Sequence, residues 1–484
     1  MGTKLVIQDE VNVKFENLPV DVRRKISNSL KFFLPHARHT PQYKLGRWDG
    51  TVGFFGLGGN GYLNHLDVIL PIINDAGIEI SEIEDQRQPF ELEFQKISND
   101  FWGDTRWPKG HRFENEPIRL RDDQVEVVNK FLENPQALQE VSTGAGKTIT
   151  TATLSKICEI FGRTIIIVPN KSLVEQTEED YLNCKLDVGV YYGDRKDLDK
   201  THTICTWQSL NILEKRFKEG KGTLGIDEFL DGVNAVIVDE AHGIKAEKLS
   251  SILNKNLRNC PIRWGLTGTI PKEPYEFHHL LSSIGPVVGK VTAKELQDQG
   301  ILAECKVNVL QLIDTKEFKD YQSELKYLTT DRPRLEFLAK KIMSNRDNGN
   351  TLVLVDRIST GEQLNELIPD STFISGSVKS KDRKTEYNDI NEGHGKILIA
   401  TYGVAAVGIN IPRIFNLVLI EPGKSFIRVI QSIGRGIRKA KDKDFVQIWD
   451  VTSTCKFAKR HLRERKKYYE QAEYPYSIEK IDWQ

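Results

Sequence analysis

The sequence predicts an α/β protein in which two tandem parallel-sheet domains follow a small α+β domain. Apolar runs rich in Val and Ile recur between segments of helical periodicity, first over 117–289 and again over 290–455. Such runs are typical of strands buried on both faces of a parallel sheet. Residues 1–81 instead combine an alternating strand pattern with one amphipathic helix pattern. A chain of 484 residues has room for about three domains of this kind.

The composition excludes several classes of protein. With 39% hydrophobic and 28% charged residues, the chain resembles a globular protein in water, and it has no apolar run of the roughly 20 residues that a membrane helix needs. Its six cysteines are scattered without a CxxC pair, which argues against structural zinc and favours reduced thiols. We therefore expect a cytoplasmic protein without a membrane partner. The formal net charge is zero, so contacts with phosphate must come from local basic surfaces.

The first domain, over 1–81, begins with the alternating strand 11–15. Asp21 is expected to cap a helix that reaches Pro35, and the glycine-rich segment 51–62 predicts a hairpin. Between positions 20 and 47 there are seven Lys or Arg and one acid, interleaved with aromatic residues. That mixture suits nucleic acid, with Arg47 and Trp48 as the candidates; a helix with core-facing Phe and a solvated basic face is the alternative.

Three further regions follow from composition. Residues 82–116 are charged and polar with two prolines, which predicts a linker that packs loosely on its neighbours. The segments 164–169 and 235–239 predict strands of the first α/β domain, over 117–289. Four further apolar runs predict strands of the second α/β domain, over 290–455: 351–355, 396–401, 416–420 and 445–449. Residues 456–484 begin with seven Lys or Arg against a single acid and predict a basic helical tail, with either a phosphate-tracking or a simply solvated helix.

A glycine-rich turn joins the predicted strand 137–141 to a helix. Backbone N–H groups and the positive end of the helix make such a turn a phosphate site. Lys147 would reach the β- and γ-phosphates and Thr148 would bind Mg²⁺. The other residues of the loop are Thr143, Gly144, Ala145 and Gly146. The alternative is a glycine turn that only opens an ordinary helix.

Two acids close the predicted strand 235–239. The carboxyl end of such a strand faces the crevice in which α/β proteins bind ligands. Asp239 is expected to hold Mg²⁺ through water, and Glu240 to polarise the attacking water. An acidic pair at the end of a surface strand is the alternative. Far downstream, Arg435 and Arg438 are three residues apart, hence on one helical face, and arginine stabilises charge that develops in phosphoryl transfer. For these two, a solvated basic helix is an equal alternative.

Taken in order, these motifs resemble those of superfamily 2 helicases over about 117–450. The resemblance implies two RecA-like domains that use ATP and Mg²⁺ and move along nucleic acid. Leu120-Arg121-Asp122-Asp123-Gln124 is similar to the adenine-reading motif, which implies that Gln124 contacts the base with Arg121 nearby. Thr267-Gly268-Thr269 stands where the family couples hydrolysis to domain closure.

The remaining motifs resemble those that contact DNA or the nucleotide. The residues that the resemblance assigns to DNA are Pro169, Asn170, Thr206, Gln208, Ser375, Gly376 and Thr401. In the second domain it assigns Gly408 and Asn410 to the nucleotide, and Gln431, Arg435 and Arg438 to the side of the γ-phosphate. Asn410 replaces the more common Asp and can still donate or accept a hydrogen bond to the ribose.

Within the superfamily, the segment 43–50 and the crossover 285–302 resemble those of phage UvsW-type branch-migration helicases. This resemblance implies a helicase that remodels branched DNA, such as Holliday junctions, forks, D-loops and R-loops. It is expected to act as a monomer on DNA, in the host cytoplasm if it is encoded by a phage. Three alternatives remain: a double-strand translocase that does not separate strands, an RNA helicase, and a binding protein with a decayed motor.

Overall fold

The computed structural model describes the following residues: 2–109, 111, 113–245, 247–376, 380–408, 411–425, 433–434 and 436–484. The predicted fold class is confirmed, because two parallel sheets with helices follow a small α+β domain. The described chain divides into two compact units, one of Met1–Val141 with Gly146–Lys290 and one of Ser142–Ala145 with Val291–Gln484.

The α+β domain is built on the sheet order β5-β2-β1-β6. Its elements are β1 Thr3–Ile7, β2 Asn12–Glu16, α1 Val20–Ser29, β3 Lys31–Phe33, α2 Pro41–Lys44, β4 Thr51–Gly53, β5 Asn60–Tyr62, α3 Leu66–Asp75 and β6 Ile80–Asp85, with 3-10 turns at Pro35–His39 and Leu63–His65. The apolar faces of α1 and α3 close over this sheet, with Val22 and Ile26 from α1 and Ile69 and Ile73 from α3 fully buried.

Two local predictions for this domain are wrong. The helix expected to reach Pro35 ends at Ser29, because residues 31–33 pair as β3 with β4. Asp21 lies in the first turn of α1, while Pro19 occupies the capping position. The expected hairpin over 51–62 does not form either, since β4 pairs with β3 and β5 pairs with β2. Both errors come from tertiary pairing, which competes with local pattern.

The first α/β domain has the sheet order β10-β9-β11-β8-β12-β13-β7-β14. Its strands are β7 Gln136–Val141, β8 Arg163–Val168, β9 Val188–Tyr192, β10 Arg195–Lys196, β11 His202–Thr206, β12 Val233–Asp239, β13 Ile262–Thr267 and β14 Val287–Val291. Its helices are α4 Asp122–Leu132, α5 Lys147–Cys158, α6 Lys171–Asn183, α7 Trp207–Lys218, α8 Ile226–Phe229, α9 Glu247–Ser251 and α10 Pro274–Ser283, with a π-helical turn at Ile252–Asn256 and 3-10 turns at Glu159–Phe161 and Ala241–Lys245.

The α+β domain packs directly on the first α/β domain through aromatic rings. His65 Nε2 lies 2.8 Å from His278 Nδ1, and the ring of Phe32 stacks on His278 at 4.5 Å between centroids. Burial, together with the neighbouring His278 and His279, lowers the pKa of His65 to about 3, so the histidine pair is neutral at physiological pH. The Glu10 main chain adds two hydrogen bonds, from its N–H to the Arg258 carbonyl and from Gln136 Nε2 to its carbonyl.

The segment between β6 and α4 is irregular but anchored. Trp102 is buried and donates through Nε1 to Thr153 Oγ1 of α5 at 3.1 Å. The ring of Phe94 packs against Trp264 of β13, with 5.8 Å between centroids. Aromatic residues therefore hold the expected linker against the first α/β domain.

The second α/β domain has the sheet order β17-β18-β16-β19-β20-β15-β21. Its strands are β15 Glu304–Leu312, β16 Thr351–Val355, β17 Ser371–Ile374, β18 Ile397–Thr401, β19 Asn416–Ile420, β20 Phe445–Ser453 and β21 Tyr476–Ile481. Its helices are α11 Ala293–Asp298, α12 Tyr321–Thr330, α13 Arg332–Met343, α14 Ile358–Leu367, α15 Ser380–Glu392, α16 Tyr402–Gly408 and α17 Lys456–Gln471, with a 3-10 turn at Arg346–Asn348.

The segment predicted as a basic helical tail is part of this domain. It folds as α17 and then as β21, which pairs in parallel with β15 at the edge of the sheet. Among the described residues, no helix combines the length and the apolar character needed to cross a membrane.

Candidate active site

The motifs of the first α/β domain meet at one edge of its sheet. The central strands β7, β13, β12, β8 and β11 are all parallel to one another. Their carboxyl ends therefore lie along the same edge, which is where α/β proteins bind ligands. The residues that end or directly follow these strands are Val141, Thr267, Asp239, Val168 and Thr206.

The glycine-rich loop between β7 and α5 depends on backbone conformations that glycine adopts without strain. Gly144 has a φ of 91° and Gly146 a φ of 78°, both in the left-handed region. A Cβ on Gly146 would lie 2.7 Å from the Gln124 side-chain nitrogen, so that a larger residue would displace Gln124. Gly146 caps α5, and Lys147 and Thr148 occupy its first turn, where the N–H groups and dipole favour anions. This arrangement fits a phosphate.

Lys147 and Glu240 form an ion pair across the two predicted nucleotide motifs. Lys147 Nζ lies 3.2 Å from Glu240 Oε1, and the two side chains are 10% and 12% exposed. Glu240 has a φ of 52°, an uncommon conformation for a non-glycine residue and one often associated with functional sites. Its N–H donates to Asp239 Oδ1 at 2.9 Å, which orients the Asp239 carboxylate. The predicted catalytic lysine and glutamate are thus in contact.

A second contact links Glu240 to the Thr267-Gly268-Thr269 motif through His242. His242 Nδ1 lies 3.5 Å from Glu240 Oε2 and 3.0 Å from Thr267 Oγ1. The Thr267 hydroxyl donates to the Thr269 carbonyl at 2.9 Å, so its oxygen is the acceptor for His242 and the ring proton is assigned to Nδ1. His242 was not among the predicted site residues, although its position two residues after the acidic pair was a usable signal.

The predicted adenine-reading motif lies beside this loop, with Gln124 and Arg121 near Gly146. Arg121 forms a bidentate ion pair with Asp123, with Nε–Oδ1 at 2.9 Å and Nη2–Oδ2 at 2.8 Å. Gln124 is almost fully buried and accepts a hydrogen bond from the Arg121 N–H at 3.1 Å. Asp123 therefore holds the guanidinium of Arg121. The sequence had assigned no role to this acid.

The predicted DNA contacts of the first α/β domain lie side by side. Val168 and Thr206 are register partners in the adjacent strands β8 and β11. Asn170 Oδ1 accepts from the Leu173 N–H and caps α6, and Thr206 Oγ1 caps α7. Gln208 Nε2 donates to the Pro169 carbonyl at 3.3 Å. Two capped helix N-termini thus point to one edge, an arrangement that attracts phosphate.

In the second α/β domain, Ser375 and Thr401 also lie at neighbouring strand ends. β17 and β18 pair in parallel with Ile374 opposite Ala400, which places Ser375 beside Thr401. Ser375 is buried, and a Cβ on the exposed Gly376 would meet no atom within 4 Å. Gly408 ends α16. The predictions for Asn410, Gln431 and Arg435 lie outside the described residues.

Arg438 is half-buried, and a buried lysine holds its main chain. Lys443 is 2% exposed and donates through Nζ to three carbonyls: Pro412 at 2.7 Å, Gly436 at 2.8 Å and Arg438 at 2.6 Å. Burial, and then the charge of Arg438, lowers the pKa of Lys443 to about 7. Sequence reasoning missed Lys443, because a lysine in the charged run 441–444 is expected to be solvated.

In the α+β domain, Arg47 and Trp48 lie between α2 and β4. Arg47 is exposed, whereas Trp48 is half-buried and donates through Nε1 to the Thr51 carbonyl at 3.0 Å. Arg47 is therefore available to solvent, and Trp48 supports the turn that carries it.

Two family models match the chain. Residues 117–272 match the model described as the res subunit of type III restriction enzymes, and residues 333–440 match the helicase conserved C-terminal domain. Between them they span most of the two α/β domains and leave the α+β domain unmatched.

Three curated proteins show the range of relatives. ATP-dependent DNA helicase uvsW of Enterobacteria phage T4 is 25% identical over 496 residues, with 94% of this chain and 92% of that protein covered. A putative DNA 3'-5' helicase Rad25 of Haloarcula marismortui is 25% identical, with coverage of 72% and 55%. The DNA 3'-5' translocase XPB2 of Sulfurisphaera tokodaii is 26% identical, with coverage of 69% and 82%. The chain thus spans about half of the Rad25 protein and nearly all of uvsW.

Two solved structures resemble the fold. The ATP-dependent Type ISP restriction-modification enzyme LlaBIII bound to DNA aligns with a TM-score of 0.56 and 15% identity, over 76% of this chain and 32% of that one. The fragment of a putative HsdR subunit of a type I restriction enzyme from Vibrio vulnificus aligns with a TM-score of 0.55 and 16% identity, over 97% and 85%. At such low identity the likeness concerns the fold alone.

The family models, the relatives and the contacts between Lys147, Glu240 and Thr267 through His242 agree on one assignment. The chain belongs to the superfamily 2 helicases, which are ATP-dependent enzymes, and resembles the phage UvsW-type helicases.

Proposed function

We propose that this chain is an ATP-dependent DNA helicase that remodels branched DNA, by branch migration of Holliday junctions, regression of forks and unwinding of D-loops or R-loops. The observation that carries the motor function is the connected series Lys147–Glu240–His242–Thr267 at the carboxyl edge of the first parallel sheet. The proposal for branched substrates is supported by the uvsW alignment, which extends over 94% of the chain and so includes most of the α+β domain.

The donor set at this edge fits ATP with Mg²⁺. ATP supplies the phosphoryl group that is transferred to water, and Mg²⁺ neutralises charge on its phosphates. The Thr148 hydroxyl and the Asp239 carboxylate are oxygen ligands of the type that Mg²⁺ prefers. Gly144, Gly146 and the start of α5 provide N–H groups for phosphate.

The ion pair between Lys147 and Glu240 suggests how the site is kept inactive before the substrate binds. While Lys147 holds the Glu240 carboxylate, that carboxylate is engaged in the ion pair. When Lys147 turns to phosphate, Glu240 is released to accept a proton from the attacking water. His242, which contacts Glu240 and Thr267, then transmits the change to the strand end at β13. In this mechanism the Thr267-Gly268-Thr269 motif couples hydrolysis to movement.

We infer that the chain contacts mainly the sugar-phosphate backbone of the nucleic acid. The candidate contacts in the first domain are Pro169, Asn170, Thr206 and Gln208, and those in the second are Ser375, Gly376 and Thr401. Capped helix ends and main-chain groups of this kind recognise phosphate and sugar, which carry no sequence information. A motor with such contacts moves along DNA of any sequence. Arg47, exposed on the α+β domain, is the proposed contact to a duplex arm.

The first experiment measures ATP hydrolysis with and without DNA. Lys147→Ala is expected to abolish DNA-stimulated hydrolysis, because it removes the side chain that bridges the glycine loop and Glu240. Lys156→Ala on the exposed side of the same helix is the matched control and should hydrolyse ATP at the wild-type rate. Full activity of the Lys147 variant would overturn the mechanism.

The second experiment compares unwinding of a four-way junction, a fork, an R-loop and a simple tailed duplex. We expect the branched substrates to be processed fastest, and Arg47→Ala to slow the junction more than the tailed duplex. Lys14→Ala, which removes a paired surface cation of the same domain, is the control. Equal rates on all four substrates would refute the preference for branched DNA and leave the helicase assignment intact.

One rival has specific support. The res-subunit model matches 117–272, and restriction motors are among the fold neighbours. A double-strand translocase would hydrolyse ATP in the presence of duplex and displace a bound third strand without separating the duplex. A triplex-displacement assay beside the unwinding assay distinguishes the two activities.

A further inference from the structure

The solvent face of α17 carries cations that the fold does not use. Six Lys or Arg residues lie within an arc of about 120° when α17 is projected at 3.6 residues per turn. They are Lys456, Lys459, Arg460, Arg463, Lys466 and Lys467, and all but the half-buried Lys466 are exposed. We call these six residues the basic face. In a chain whose formal net charge is zero, this is a strong local concentration of positive charge.

The opposite side of α17 anchors the helix firmly. Arg465 is fully buried and makes a bidentate ion pair with Asp450 of β20, with both N···O distances at 2.9 Å. Tyr469 donates to the same carboxylate at 2.8 Å. At the first turn, the buried Glu324 accepts hydrogen bonds from the N–H groups of residues 457 and 458, at 3.0 and 2.7 Å. The basic face is therefore presented by a helix with a fixed orientation.

The cations of the basic face are largely unneutralised. Within the part of the chain that the structure describes, Lys467 is the one member with a carboxylate inside 4 Å, that of Glu464 at 3.1 Å. Glu470 lies in the same arc at the far end of α17, where it accepts a hydrogen bond from Tyr476. Like charges at helical spacing destabilise a helix by a few tenths of a kilocalorie per pair. The arrangement therefore costs stability that the fold does not recover.

The position of α17 connects the basic face with the predicted DNA contacts of the same domain. Arg465 Nη1 donates to the Gly423 carbonyl and Tyr468 to the Lys424 carbonyl, both in the loop that follows β19. β16 alone separates β19 from β18, which ends at Thr401. At roughly 4.8 Å per strand, the two strand ends are about 10 Å apart. The helix and the loops at Ser375 and Thr401 thus share one edge of the sheet.

We propose that the basic face of α17 binds the phosphate backbone of duplex DNA next to the contacts at Ser375 and Thr401. Between positions 456 and 467 the helix rises by about 16 Å. Over that length duplex DNA carries about nine phosphates and one of its strands about five. Six cations on one face therefore exceed the phosphates that a single strand offers, which favours the duplex. The inference rests on the proposed function, which names DNA as the substrate.

The test uses the full-length chain with Lys459→Gln, Arg460→Gln and Arg463→Gln combined. Affinity for a fluorescent duplex is measured by anisotropy across a series of salt concentrations. Each lost phosphate contact should reduce the slope of log affinity against log salt by about 0.9, so the triple variant should lose two to three units of slope. At saturating DNA its rate of ATP hydrolysis should stay within about twofold of wild type, because the nucleotide site is untouched.

The matched control combines Lys215→Gln, Lys218→Gln and Lys221→Gln on and after α7. These three side chains are 71%, 70% and 69% exposed, and each pairs with a glutamate. The control should keep the wild-type slope, and thermal unfolding should show both triple variants folded. An unchanged slope for the α17 variant, or an equal loss in the α7 control, would overturn the proposal. An equal loss for a single strand of the same length would overturn the duplex assignment.

Failure of the proposed function gives a different result. If the wild-type chain shows no DNA-stimulated hydrolysis of ATP, the motor assignment fails. The salt dependence of duplex binding still reports on α17 in that case, because it requires no ATP. The two proposals are therefore tested separately.

Discussion

Glu240 and Glu421 occupy the same place in the two parallel sheets. Glu240 follows β12, which is the fourth strand of the first sheet counted from β14. Glu421 follows β19, which is the fourth strand of the second sheet counted from β21. Both have a left-handed backbone, with φ of 52° and 43°. Glu240 pairs with Lys147, a flexible cation at a glycine loop. Glu421 pairs with Arg334, whose side chain is fully buried, at 3.0 Å.

The difference indicates that the partner cation, rather than the backbone, separates the proposed catalytic acid from a structural one. A lysine ammonium can turn to another anion, whereas the guanidinium of Arg334 is held by the Leu328 carbonyl and lies 3.7 Å from Asp314. The first sheet thus leaves its carboxylate available to a ligand. In the second sheet the equivalent carboxylate is part of the core.

The largest effect is expected from the matched pair Glu240→Gln and Glu421→Gln. Glu240→Gln should lower DNA-stimulated ATP hydrolysis by about 100-fold or more, because an amide cannot accept the proton from water. Glu421→Gln should stay within a few-fold of wild type. Hydrolysis rates at saturating ATP and DNA measure both. A comparable loss in both variants would mean that the two glutamates are not distinguished by their partners.

A second pair of variants tests, through the free energy of unfolding, whether Glu421 is part of the core of the second sheet. Arg334→Met leaves Glu421 and Asp314 buried without their cation, which should lower the free energy of unfolding by about 3–5 kcal/mol. Arg332→Met, two residues earlier and 49% exposed, should change it by less than about 0.5 kcal/mol. Chemical denaturation measures both values. If Arg334→Met were as stable as wild type, Glu421 would not be part of a core network.

A third effect concerns Lys443, the buried lysine that holds the main chain at Arg438. Lys443→Met removes the ammonium that donates to three carbonyls and helps to hold the main chain at Arg438. Hydrolysis should fall about tenfold, the effect of roughly one hydrogen bond to a charged group. Lys443→Arg should restore part of it, and Lys441→Met on the exposed neighbour should have no effect.

The pH profile provides a readout that a purely structural role would not produce. The pKa of Lys443 is lowered to about 7, and a neutral amine has two N–H donors for three carbonyls. Wild-type hydrolysis should therefore decline above pH 7, and Lys443→Arg should move that decline to higher pH. An identical profile in the two proteins would contradict the positioning role.

The last effect is a pH dependence of stability. Burial raises the pKa of Glu421 from 4.5 to about 7, against the opposing influence of Arg334 and Arg465. The folded chain thus keeps a proton that the unfolded chain loses between pH 4.5 and 7. The stabilisation is complete below pH 4.5 and is lost as the pH rises through 7, at a slope of at most about 1.4 kcal/mol per pH unit. Glu421→Gln should flatten this part of the curve, whereas the exposed Glu336→Gln should not.

Much of the architecture was predictable, because buried parallel strands have a strong local signature. The strands predicted at 164–169, 235–239, 351–355, 396–401, 416–420 and 445–449 correspond to β8, β12, β16, β18, β19 and β20. The α+β domain was less predictable. Its short strands β3, β4 and β5 contain three residues each, too few for a periodic pattern, and their partners are distant in sequence.

The residues of the candidate site also fall into two groups, those that the sequence revealed and those that it did not. Gly144, Lys147 and Glu240 were recognisable because phosphate binding requires particular residue types at fixed spacing next to a strand. Asp123 and Lys443 were not recognised, since each acts through a contact rather than through a motif, and His242 was missed although it lies two residues after the acidic pair. The roles assigned to Asn410, Gln431 and Arg435 remain predictions.

The sequence by itself determined that two parallel-sheet domains carry the ordered motifs of a superfamily 2 helicase, because strand burial and phosphate chemistry both leave local patterns. The tertiary structure alone decided which charges are available. It placed Glu240 against Lys147 of the glycine loop and Glu421 against a buried arginine. It also buried Arg465 against Asp450 of the second sheet, while its neighbours on α17 face solvent. In the sequence the charged residues look alike, because their exposure to water is decided only when the chain folds.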